Sequence, residues 1–149
     1  MFPMIGINNN CPCNWIERIR ELNGLVRDTI ERMGWPATYK FMEEVSYIEI
    51  GVMEMPLGYS RIRVTTKAPM DRYIEIGVLD LTSNVQRDWI ICHELTHAYT
   101  TPYFRTWKRQ PQVEDYADFI ASSIVDYDRC SLVLDSLRIK GENKHAFGY

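Results

Sequence analysis

The sequence predicts an α+β domain: an N-terminal helix, a mixed sheet of three to four strands, and two long helices after it. Two observations predict it. Apolar residues recur at helical spacing before residue 34 and after residue 83, and the text between them is rich in β-branched and aromatic residues. With 149 residues the chain suits a single domain that buries about two-thirds of its unfolded surface. A content of 46% hydrophobic and 25% charged residues argues against disorder and low complexity.

Asn14 and Glu17 have capping-box spacing, and Trp15, Ile16, Ile19, Leu22, Leu25, Val26, Ile30 and Met33 follow as a helical stripe. A first helix is expected from about Asn14 to Met33, stopped by Gly34 and Pro36. The segments "TYKFMEEV", "YIEIGVME", "YSRIRVTTK" and "RYIEIGVLDL" then read as three or four strands, with hairpins expected among them, broken by Pro56, Gly58 and Pro69. Ile62, Val64 and Thr66 alternate with Arg61, Arg63 and Thr65, as on a sheet with one wet face.

Ser83 and Gln86 repeat the capping-box spacing and open a helix through Val85, Trp89, Ile90 and Leu95, which Pro102 forbids from continuing. Pro111 fits the first position of another helix, whose stripe of Val113, Ala117, Ile120 and Ile124 extends to about Asp126. The remainder reads as a short helix and a tail. No repeat or linker interrupts the chain.

A net charge of -3 supplies no basic face for nucleic acid. No apolar run approaches membrane-spanning length, and "MFPMIGINNNC" lacks the charge and apolar pattern of a secretory signal. A soluble, cytoplasmic protein without a membrane or nucleic-acid partner is expected. Cys11, Cys13, Cys92 and Cys130 form no C-x-x-C pair, so free thiols are the default. Cys11 and Cys13 leave three readings open: a thiolate latch over a metal, a disulfide, or inert loop cysteines.

Within the second long helix stands "HELTH". His93 and His97 are one turn apart on one face, where both imidazoles can reach a single ion. Glu94 lies about 100° round from His93, beside such an ion, where it can take a proton from water. The alternative is a helix carrying two surface or core-satisfied histidines. Zinc in a catalytic site needs a third protein ligand and an open position. His145 is the only other histidine, and Tyr103 stands six residues after His97 where a third histidine would complete H-E-x-x-H-x-x-G-x-x-H. The third ligand is therefore expected to be a carboxylate. Glu114 and Asp118 share one face of the next helix, with Ala117 and Ala121 small enough for close helix approach. Glu114 could instead serve the helix dipole, and Asp118 could be a solvated acid.

Together, His93-Glu94-Leu95-Thr96-His97 and Glu114-Asp115-Tyr116-Ala117-Asp118 resemble the gluzincin metallopeptidases, and "EDYADFIA" is similar to the minimal gluzincins and the ImmA/IrrE-like peptidases. The likeness covers about Ser83 to Asp126. It implies a zincin-like fold and one zinc ion per chain, with His93, His97 and Glu114 as metal ligands. It also implies Glu94 as catalytic base and Asp118 as hydrogen-bond partner of a zinc-bound histidine. Thr96 departs from the glycine or alanine common there, and only sixteen residues separate His97 from Glu114. The resemblance further implies an oxyanion donor on a later segment, for which Tyr103, Arg105 and His145 are candidates, and makes "YIEIGVLDL" the cleft-edge strand that aligns a peptide. The expected activity is hydrolysis of a peptide or protein by water whose pKa zinc lowers from about 9 to about 7. Its rivals are a zinc-binding structural or interaction module, a latent peptidase, and a regulatory domain that never binds metal.

Overall fold

The computed structural model describes residues 2–7, 13–53, 58–64, 72–79, 83–100 and 111–142. Its elements run β1 (Met4–Ile7), α1 (Cys13–Glu17), α2 (Ile19–Arg32), α3 (Trp35–Glu44), β2 (Val45–Met53), β3 (Gly58–Val64), β4 (Arg72–Leu79), α4 (Asn84–Thr100), α5 (Pro111–Ile124) and α6 (Arg129–Glu142). The class is α+β.

The expected first helix is interrupted at Arg18, which sits between α1 and α2 with φ -92° and ψ 12°. The break has a visible partner. Arg18 places both guanidinium ends on the Asp88 carboxylate of α4, at 3.2 and 2.8 Å, while Trp15 is fully buried beneath Arg87. Leu22, Val26 and Ile30 then bury one stripe of α2, the i, i+4 pattern that carries an amphipathic helix.

Gly34 ends this helix at φ 100°, a backbone region that favours glycine. Its successor corrects the sequence reading, for residues 35–44 form α3 and not a strand. Pro36 lies in the first helical turn, where its missing N–H costs nothing, and Ala37 and Phe41 bury at helical spacing. Aromatic and β-branched content alone misassigned this segment because tertiary burial rewarded a four-residue period.

Strand order in the sheet is β1-β2-β4-β3. The β1/β2 and β2/β4 pairs are parallel, with Ile48 opposite both Ile5 and Ile74, and β3 runs antiparallel to β4 with Ile62 opposite Ile74. β1 had no counterpart in the sequence reading, since "MIGI" is too short to declare a period. The expectation that "YIEIGVLDL" forms the cleft edge is also corrected. β4 is covered on one side by β2 and on the other by β3, so the sheet edge on that side is β3. The side chains that would make the wet face at residues 61–66 lie outside the described residues.

α4 packs against α2, α5, β3 and β4. Trp89, Ile90, Ile91, Cys92, Leu95 and Ala98 join Ile48, Ile50, Val26 and Ile30 in one core, so the helix is buried around most of its circumference. α5 ends at Ile124, two residues short of the expected end, and α6 is a full 14-residue helix where a short one was expected. No described helix is long and apolar enough to cross a membrane.

Candidate metal centre

A closed capping box sets the register of α4. The Gln86 N–H donates to Ser83 Oγ at 3.3 Å and the Ser83 N–H donates to Gln86 Oε1 at 2.7 Å. Two turns further on, His93 and His97 point to the same side and are 5% and 0% exposed. Their Nε2 atoms approach to 3.0 Å with the rings at 81°. Two neutral imidazoles cannot both offer a lone pair across that gap, so the pair requires a proton or a shared cation.

Glu114 reaches them from the first turn of α5. Its Oε2 lies 3.3 Å from His93 Nε2 and its Oε1 lies 3.1 Å from His97 Nε2. Ala117 and Ala121 have no exposed surface, and methyl-sized side chains there let α5 lie close against α4. His93, His97 and Glu114 could hold a metal ion, with ligand atoms all within 4.8 Å of one another.

Asp118, one turn beyond Glu114, stands on the opposite edge of the His93 ring, with Oδ1 2.9 Å from Nδ1. The approach is short without a well-aligned ring N–H, so it acts chiefly as a charge contact. Burial works against a charged His93, yet Asp118 and Glu114 beside it raise its pKa above the ordinary imidazole value. Burial also disfavours the Asp118 carboxylate, but His93 and Arg129 outweigh it and hold its pKa down at about 2. Glu94 is 4% exposed and follows His93 directly on α4. Asp115 is exposed, as its position on another helix face predicts.

Two residues enter the site that the motif did not mark. Trp89 lies under His93, ring centroids 5.1 Å apart and planes 18° from parallel, and its indole N–H donates to Ser122 Oγ at 3.0 Å. Arg129, the first residue of α6, donates from Nη2 to Asp118 Oδ1 at 2.9 Å and to Glu114 Oε2 at 3.3 Å, and from Nε to Asp118 Oδ2 at 3.2 Å. The available sequence signal was Asp128, whose side chain accepts the Ser131 N–H at 2.7 Å and so starts α6 beside the site. Tyr103, Arg105 and His145 lie outside the described residues, as do Cys11 and the side chains of Cys13 and Asn14. Cys92 is the small buried group expected, its thiol accepting from Thr29 Oγ1 at 3.1 Å.

Comparison with family models, curated proteins and solved structures finds no match. The functional reading therefore rests on this geometry and on the motifs.

Proposed function

We propose that the protein is a small zinc-dependent metallopeptidase of zincin-like fold, with His93, His97 and Glu114 holding the zinc and Glu94 as general base. One observation carries the reading. The His93 and His97 Nε2 atoms lie 3.0 Å apart and the Glu114 carboxylate spans them, with Oε1 3.1 Å from His97 and Oε2 3.3 Å from His93. A tetrahedral zinc with bonds of about 2.0–2.1 Å separates its ligand atoms by about 3.3 Å. Two nitrogens and one carboxylate also match a catalytic zinc set, which leaves a fourth corner for the reacting group.

A zinc ion bound there supplies a Lewis acid for water and for the scissile carbonyl. Glu94 accepts the proton of the attacking water and returns it to the leaving amine as the C–N bond breaks, with the water oxygen kept by the acyl product. The negative charge of Asp118 beside Nδ1 favours a proton on that nitrogen, which leaves the Nε2 lone pair for the metal. The shelf of Trp89 fixes the ring plane. An extended peptide or protein segment is the substrate class, and β3, the edge strand beside α4 in the described sheet, is where its backbone would pair. Free thiols at Cys92 and Cys130 suit a reducing compartment, and the cytoplasm is the proposed setting.

The test combines elemental analysis with peptide cleavage. We expect about one zinc per chain in the wild type, loss of zinc in Glu114→Ala, and loss of cleavage with zinc retained in Glu94→Gln. A wild type that binds no zinc under saturating conditions defeats the proposal. Zinc without cleavage would reduce it to a binding module or a latent peptidase.

A further inference from the structure

We infer that Arg129 is the residue that receives the substrate's carbonyl oxygen as that oxygen gains negative charge, an oxyanion donor placed at the mouth of the metal centre. The inference rests on the metallopeptidase reading and adds a catalytic group to it.

The first argument is position. Arg129 Nη2 stands 3.4 Å from His93 Nε2 and 3.3 Å from Glu114 Oε2, the separation that two corners of a zinc tetrahedron have. The guanidinium thus lies against two of the three ligand residues, at the edge of the metal centre.

The second is preorganisation. Asp118 grips the guanidinium through Nε and Nη2, and the Trp89 ring lies 5.4 Å below its centre, so the group is held from two sides. The same Asp118 contacts His93, which couples the donor's position to the metal ligand. Five N–H donors belong to a guanidinium, and the described contacts use only Nε and Nη2. Among the described residues the Nη1 donors have no partner. With 38% of its side chain exposed, Arg129 is reachable from solvent.

The third is charge. Glu94, Glu114 and Asp118 carry three negative charges at the site. A divalent ion and Arg129 carry three positive ones, so the loaded site is neutral before substrate arrives. Without Arg129 it holds an excess negative charge and opposes a developing oxyanion. In the hydrolysis the carbonyl π pair moves onto that oxygen as water adds, and returns when the C–N bond breaks. Arg129 keeps its proton throughout and only donates hydrogen bonds.

The test uses the full chain loaded with cobalt(II), whose visible absorption reports a ligand entering the open position, and titrates acetate as the anionic probe. Wild type, Arg129→Gln and Arg129→Lys are compared for cobalt affinity and acetate affinity. We expect acetate to bind roughly 10- to 100-fold more weakly to Arg129→Gln, the range of a charge-assisted hydrogen bond. Arg129→Lys, which keeps charge but loses the fork, should fall between, and it carries the test if the Gln variant does not fold. Cobalt affinity should not fall in Arg129→Gln, because a repelling cation is removed. In a peptide assay kcat should drop with KM little changed. Equal acetate affinity in all three proteins overturns the inference, as does a variant whose only defect is weaker cobalt binding, the mark of a structural role. A wild type that binds no cobalt fails the metallopeptidase reading itself and this inference with it.

Discussion

His93 Nε2 faces His97 Nε2 across 3.0 Å, and the nearest balancing charge is the Glu114 carboxylate that touches both. Without metal one ring must carry its proton on Nε2 and donate to the other, whereas a bound cation takes the lone pairs of both. Metal should therefore stabilise the fold. With free zinc at 100 times its dissociation constant, linkage adds about 2.7 kcal/mol, and calorimetric Tm should rise with zinc and fall on chelation. His97→Ala and Glu114→Ala should each abolish the zinc-dependent part of Tm. A zinc response undiminished in both variants would contradict the ligand assignment.

Acidification should release the metal early. The neighbouring carboxylates raise the His93 pKa, and only the neutral ring binds metal, so proton competition begins above the ordinary imidazole value of about 6.5. In the metal-free protein the sign reverses. A raised His93 pKa contributes stability that is present below about pH 6.5 and is lost as pH rises through the folded value. Asp118, held at about 2, contributes stability above about pH 3.9 that is lost as pH falls toward 2. Chelator-competition titrations and Tm measured against pH, with and without zinc, separate these effects. Asp118→Asn should remove the acid-side contribution.

Glu94→Gln changes charge with little change of shape in a buried position. The amide cannot accept the water proton, so kcat should fall by roughly 10²–10⁴, the range for general-base catalysis. Zinc content measured on the same preparation should stay near the wild-type value.

Helix approach, and not only ligand identity, sets the donor geometry. Ala117 is fully buried between Glu114 and Ile120 on α5, and Ala117→Leu would force α5 from α4. Overpacking of this kind costs about 1–3 kcal/mol. The variant should lose zinc affinity although every ligand is intact, and denaturant unfolding beside zinc titration checks both halves of that statement.

Burial pushes the Cys92 thiol up to about 12, despite the Thr29 hydroxyl at its sulfur, so almost no thiolate exists at neutral pH. Cys130 is exposed. Peptide mapping after brief iodoacetamide treatment should find Cys130 alkylated and Cys92 untouched in the native protein, and both modified in denaturant.

The sequence by itself determined the local geometry of the candidate centre. A 3.6-residue period put His93 and His97 on one face of α4, the Ser83 and Gln86 cap fixed where that helix begins, and Glu114 and Asp118 share a face of α5 for the same reason. These relations need only neighbours within a turn, so they are legible in residue order. Tertiary structure decided what lies farther apart. Helical burial of Ala37 and Phe41 overrode the strand-like text of α3, and pairing with β3 took β4 from the sheet edge. Arg129 joined the site from 36 residues past His93 because Asp128 caps α6 and Asp118 draws in the guanidinium. No local period encodes such contacts, which follow from how helices and strands fill one core and from which charges that packing brings together.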